Sequence, residues 1–256
     1  MKMTAVVCVL ALLAGVTASR GGVAAEEATA MYYASLDGLG GPTGACGYGE
    51  IGITYNMGYV AAVSDPMWNN GLACGSCYQV TCNVSGVCNS EGVRVVVTDA
   101  GNGDGSNSTA FVLSQRALQG MAVPAMAFQL TQMGPVGISY HRVPCVYAGA
   151  GGSRKLAVKV TDQSRFPDYL SVVVLYQAGE YDLLQVKVLD RTANQWIGVP
   201  HSYGAVFALA DPPTASPVTL LLEFKGEEGK EKGVFHLVHI PQHWTPGAEY
   251  DTRVSL

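Results

Sequence analysis

A chain of 256 residues is long for one domain and comfortable for two. Hydrophobic residues make up 48% and charged residues 14%, a balance that buries a core and excludes disorder. The formal net charge of −5, with no basic run and no P-loop pattern, excludes nucleic acid and anionic membrane surfaces as partners.

The N-terminus opens on Lys2, an apolar run from Ala5 to Val16, and small residues at Thr17–Ser19 and Gly22–Ala25. This is the anatomy of a cleaved secretory signal over residues 1–25. The run is shorter than the ~20 residues a spanning helix needs, so no membrane association is expected after cleavage. Cleavage removes Cys8 and leaves Cys46, Cys74, Cys77, Cys82, Cys88 and Cys145, an even set that reads as a disulfide framework in an oxidising compartment. Cys74-Gly-Ser-Cys77 also has zinc-ligand spacing, but no second Cys or His pair matches it. His236 and His239 lie three apart in a strand-like run and so face opposite sides. No metal and no cofactor are expected.

Residues 26–147 are Gly-rich, with short apolar stretches at 78–82, 93–98, 127–130 and 138–143 that read as strands. Val93, Val95 and Val97 alternate with Arg94 as a strand requires. One helix is predicted, from Ser114 to Met121, with Ser114 as its cap. The pattern predicts a small β-barrel. Residues 148–153, Ala-Gly-Ala-Gly-Gly-Ser, read as a flexible linker without strand character. Residues 154–256 alternate clearly, with strand runs at 156–160, 169–176, 184–188, 218–224 and 234–240 separated by turn formers. These predict a β-sandwich.

Several unlinked motifs resemble plant expansins, and expansin-like proteins most closely. In the first half they are Met31-Tyr-Tyr33, Gly44-Ala-Cys-Gly-Tyr-Gly49, the stretch from Trp68 to Tyr78, and Val97-Thr-Asp99. In the second half they are Asp168-Tyr-Leu170, Val174-Leu-Tyr-Gln177, Ser202-Tyr-Gly-Ala-Val-Phe207, Ile240-Pro-Gln-His-Trp244 and Tyr250-Asp-Thr-Arg-Val254. The resemblance implies an all-β chain: a six-stranded double-psi β-barrel followed by an immunoglobulin-like β-sandwich that binds carbohydrate. It also implies the pairs Cys46–Cys74, Cys77–Cys145 and Cys82–Cys88, among which sequence alone cannot choose.

The barrel is shared with inverting endoglucanases, which need two carboxylates about 6.5–9.5 Å apart. By the resemblance, Val112 in Ala110-Phe-Val-Leu-Ser114 stands where the family carries an acid-like Asp, and the family's early Ala-Thr-Tyr reads Ala30-Met-Tyr32. A valine has no proton to donate, so no hydrolytic activity and no catalytic residue are expected. Asp99 remains as the cleft candidate, with a turn-forming role as the alternative; Asp104 in a Gly-rich turn is a displaced acid or, by its neighbours, a turn former. No Gly-x-Ser-x-Gly elbow or unpaired cysteine offers a nucleophile.

Sugar binding without catalysis calls for flat aromatic faces. The resemblance marks Tyr169 and Tyr203 as surface aromatics, Tyr203 replacing a tryptophan with a smaller face. Trp196 is a further candidate; Trp244 reads as a core ring, and Tyr32, Tyr33, Tyr48 and Trp68 are divided between core and groove. Asn83-Val-Ser85 and Asn107-Ser-Thr109 are glycosylation acceptors. The expectation is a monomeric, extracellular protein of the cell wall whose partner is wall polysaccharide, cellulose or matrix glycan, loosened without hydrolysis. The alternatives are a binding or structural wall protein without loosening activity, and an endoglucanase using other carboxylates.

Overall fold

The computed structural model describes residues 25–35, 43–101, 109–149, 152–213, 217–226 and 234–254. The signal segment through residue 24, Asp104 and Asn107 lie outside the described residues.

Six strands close a barrel in the order β1-β5-β2-β4-β3-β6. They are β1 (Glu26–Tyr32), β2 (Val60–Val63), β3 (Cys77–Cys82), β4 (Val93–Ala100), β5 (Thr109–Leu113) and β6 (Val136–Val143). Parallel pairing of β1 with β5 and of β2 with β4, among otherwise antiparallel neighbours, gives the double-psi form. Every residue of β2 and β5 is buried. Strands covered on both faces lose alternation and become short apolar runs. Sequence periodicity therefore misses both.

Among the described residues four short α-helices decorate the barrel: α1 (Ile51–Thr54), α2 (Asp65–Trp68), α3 (Gln115–Gly120) and α4 (Ala127–Gln132). Ser114 caps α3 as predicted, its hydroxyl accepting from the Ala117 N–H at 3.1 Å and donating to the Gly58 carbonyl at 2.6 Å. The stretch 127–130, predicted as a strand, is helical instead. Only Leu130 and Thr131 of α4 are buried and Phe128 is exposed, so a four-residue stretch with three apolar positions is too short to reveal the period.

Three disulfides staple this half: Cys46–Cys74, Cys77–Cys145 and Cys82–Cys88, the pairs the resemblance implies. Within the stretch read as a linker without strand character, β7 (Ala148–Gly149) pairs antiparallel with β8 (Gly152–Ser153).

Beyond it, two sheets pack face to face. One has the order β13-β14-β10-β9-β17 and the other β12-β11-β15-β16. The first comprises β9 (Ala157–Val160), β10 (Tyr169–Leu175), β13 (His201–Tyr203), β14 (Val206–Ala210) and β17 (Glu249–Asp251). The second comprises β11 (Tyr181–Asp190), β12 (Gln195–Val199), β15 (Val218–Gly226) and β16 (Val234–Ile240). Val158, Val160, Leu170, Val172 and Val174 meet Val186, Val188, Leu220, Leu222 and Phe224 in the sandwich core. Trp244 is buried there, as read from the sequence.

The two halves share a core. The other parity of the five-stranded sheet, Ala157, Val173, Leu175 and Val206, joins the barrel's apolar cluster. Around Tyr55 gather Tyr48, Tyr147 and Tyr176, with ring centroids 5.0–5.1 Å from it. The Tyr176 N–H donates to the Tyr55 hydroxyl. Arg142 of the barrel donates to the Gly179 carbonyl at 2.5 Å and to Asp182 Oδ1 at 2.6 Å. The Ala205 N–H donates to the Cys46 carbonyl at 3.0 Å. A Cβ on Gly204, at φ 51°, would stand 2.1 Å from the Ala45 carbonyl oxygen, so only glycine allows this approach.

Two outcomes follow. Gly204→Ala should destabilise by at least about 2 kcal/mol, read as a calorimetric midpoint lowered by several degrees; an unchanged midpoint would show that the halves do not pack this closely. Burial, aided by neighbouring tyrosines, raises Tyr48, Tyr55 and Tyr147 above the ordinary phenol value. Above about pH 10 the unfolded chain gives up protons that the folded one retains, so stability should fall as pH rises beyond that point and be unaffected by these groups below it. Thermal unfolding measured on both sides of that pH checks the sign.

Candidate functional site

Asp99 is the penultimate residue of β4 and is half-buried. Its Oδ1 accepts the Ala45 N–H at 2.7 Å and the Ala100 N–H at 2.8 Å, and its Oδ2 accepts the Tyr33 hydroxyl at 3.4 Å. Burial, then the Asp99 charge, then this hydrogen bond push Tyr33 well above the ordinary phenol value, so it stays a neutral donor. A carboxylate engaged by two backbone N–H groups holds a loop in place. That loop is the segment Gly44–Gly49, where a Cβ on Gly44 would meet the Thr98 carbonyl oxygen at 2.7 Å.

Register defines the rest of the barrel cleft. Ala62 on β2 is the partner of both Asp99 on β4 and Val112 on β5. Asp99 and Val112 therefore lie two strand spacings apart, about 10 Å, on one face. Ala61, Val63, Phe111 and Leu113 point into the barrel core, so Ala62 and Val112 point the other way. Of the barrel aromatics, Tyr32 and Trp68 pack on the core and Tyr48 is buried in it, leaving Tyr33 at Asp99.

The same loop leads to the sandwich. A Cβ on Gly47 would lie 2.4 Å from Val206 Cγ2 and 3.0 Å from Tyr203 Cε2, so the Tyr203 ring rests against this stretch of backbone. Tyr203 pairs with Val206, Val206 with Val173, and Tyr169 stands four residues up β10 from Val173. All four share the outer face of the five-stranded sheet. Tyr203 and Tyr169 are thus about 10 Å apart across the strands and about 13 Å apart along them. Ala208 and Ala210, the partners of Ser171 and Tyr169, form a low floor between the two rings. Tyr203 is 44% exposed and Tyr169 half-buried.

The third predicted aromatic does not join them. Trp196 is 41% exposed, but it belongs to β12 in the opposite sheet and pairs with Leu189. Its parity is outward because Ile197 and Val199 face the sandwich core. Tyr169 and Tyr203 therefore share a face, and Trp196 lies on the other side of the domain.

Sequence reasoning missed a crevice of ≈ 360 Å³ where the loop meets the sandwich, walled by Thr43, Gly47 and Gly49 on one side and by Lys159, Gln163 and Tyr203 on the other. The glycines of 44–49 were its only signal, because its walls come from segments more than a hundred residues apart. Among the described residues no group of three or more His, Cys, Asp or Glu is placed to hold a metal ion, and no helix is long and apolar enough to cross a membrane.

Known proteins share this arrangement. The Expansin C-terminal domain family matches residues 156–237, and a family described as lytic transglycolase matches residues 60–140. Expansin-like B1 of Arabidopsis thaliana is 41% identical over 227 residues, covering 89% of this chain and 87% of that one. The chain belongs to the expansin family as an expansin-like protein. Expansin-like B1 of Oryza sativa subsp. japonica is 35% identical over 229 residues, covering 89% and 86% of the two chains. A crystal structure of apo Clavibacter michiganensis expansin shares the fold with TM-score 0.64 and 21% identity, over 91% of this chain and 98% of that one. A mutant of that expansin, in a crystal structure with cellohexaose, superposes with the same TM-score at 20% identity, with 91% and 98% coverage.

If Asp99 holds the loop, Asp99→Ala should cost about 2–3 kcal/mol and Asp99→Asn less than about 1.5, since the amide oxygen still accepts from Ala45. Urea titration of the two variants checks this, and equal losses would contradict the anchoring role.

Proposed function

We propose that this expansin-like protein is secreted to the cell wall and binds wall polysaccharide along the Tyr169–Tyr203 face, loosening non-covalent contacts without hydrolysis. The carrying observation is the pairing of two tyrosines on one outward sheet face with an alanine floor between them. Such a surface packs flat against the C–H faces of several pyranose rings, while the tyrosine hydroxyls remain free to hydrogen-bond sugar. The cellohexaose held by the structurally similar Clavibacter michiganensis expansin supports a β-linked glucan as one partner. Three disulfides in one barrel support an extracellular location. Asn83 is exposed in its acceptor sequence and is assigned as a glycan site; its amide donates to Glu27 Oε2 at 2.9 Å. Asn107 is assigned likewise from sequence alone. The protein is taken to act as a monomer, in domains bounded at 26–147 and 154–256 around the β7–β8 pair.

The absence of hydrolysis rests on two observations. Asp99 is engaged by backbone donors, and the position that the family resemblance assigns to an acid is the apolar, buried Val112. An inverting mechanism needs a protonated carboxyl at one position and a water-activating carboxylate at the other. Val112 also favours a second reading, a wall-binding protein that has lost loosening.

Constant-load extension of an isolated wall strip, with parallel assay of released reducing sugar, separates these readings. Creep without sugar release is expected; retention without creep would leave the binding reading alone, and sugar release would overturn both. Tyr169→Ala with Tyr203→Ala should lower retention on insoluble wall by about tenfold or more, equivalent to about 1.4 kcal/mol, with an unchanged unfolding midpoint. Undiminished retention in the folded double variant would remove the assignment.

A further inference from the structure

The crevice beside Tyr203 is not needed to hold a linear chain. Its volume, ≈ 360 Å³, lies near the lower end of the roughly 300–1,000 Å³ of small-molecule sites, enough for one sugar ring rather than a passing polymer. The route from the tyrosine face toward Asp99 follows the Gly47–Gly44 backbone, which is one lip of the crevice, so a main chain would pass across its mouth.

The walls are chemically distinct. On the sandwich side the Tyr203 ring supplies an apolar face beside the Lys159 ammonium and the Gln163 amide, and the barrel side contributes the Thr43 hydroxyl. A stacking face with several donors and acceptors around it is what a pyranose or pentose with vicinal hydroxyls requires. Charge selects among sugars. Lys159 Nζ lies 3.9 Å from Asp162 Oδ2, and both residues line the crevice. A uronic acid would compete with the Asp162 carboxylate for the one lining ammonium, on a chain of net charge −5, so a neutral sugar is favoured.

Resting on the platform reading above, we infer that this crevice is a subsite for a single neutral sugar branch of a matrix glycan whose backbone lies across Tyr203 and Tyr169. The protein would then distinguish substituted from bare β-glucan chains, a discrimination that depends on both domains because each supplies a wall.

The test compares two probes by isothermal titration: cellohexaose, and a β-1,4-linked gluco-oligosaccharide of the same backbone length carrying single xylosyl branches. The intact protein should bind the branched probe about tenfold more tightly, a difference of about 1.4 kcal/mol. Lys159→Met combined with Gln163→Ala should reduce the branched probe to the affinity of cellohexaose and leave cellohexaose binding unchanged. Gln163→Trp, which fills the crevice from an exposed loop position, should do the same should the first variant fold poorly. Equal affinity for both probes in the intact protein, or a preference that survives in the folded variants, overturns the branch subsite while leaving the platform standing. Failure of the intact protein to bind either probe overturns both.

Discussion

The architecture depends on one tethered segment, Gly44 to Tyr48. The Cys46–Cys74 bridge ties it to the barrel, Asp99 takes its Ala45 N–H, and the Cys46 carbonyl accepts the Ala205 N–H of the sandwich. Gly47 faces Tyr203 and Val206, and Gly204 faces Ala45 and Cys46, with no room for a Cβ at either contact. A backbone held from three directions has few alternative positions. Asp99 in the barrel and Tyr203 in the sandwich are consequently fixed relative to each other.

This constraint explains why the seam is aromatic and polar as well as apolar. Four tyrosines bring large area and directional contacts to a junction that also buries Val173, Leu175 and Val206. Arg154 lies 4.9 Å from the centroid of the Tyr176 ring, donates to its hydroxyl at 2.8 Å and reaches Glu249 at 3.5 Å, closing the outer edge. The arrangement joins the barrel and the five-stranded sheet closely, with Asp99 anchoring the Gly44–Gly49 loop between them.

Much of this was legible in the sequence, for physical reasons that can be named. Half-exposed strands such as β11 and β15 betray themselves by alternation, and Ser114 announced its helix by its capping chemistry. Strands β2 and β5 did not, because burial on both faces erases the period. Tyr203 and Tyr169 were found through family resemblance; their common face emerges only from the β13-β14-β10 register. Trp196, a candidate from its residue type alone, is an exposed ring that topology places on the four-stranded sheet, apart from the two tyrosines. The crevice and the seam are products of long-range packing between glycines and side chains that no local pattern joins.

The central claim is that polysaccharide lies on the five-stranded sheet at the seam. Nuclear magnetic resonance titration of the intact, isotope-labelled protein with cellohexaose tests it most directly. The account expects amide and ring shifts at Gly47, Tyr169, Tyr203, Ala208 and Ala210, with Trp196, Phe235 and Leu237 silent. Shifts confined to those last three residues, on the outer face of the four-stranded sheet, would contradict it.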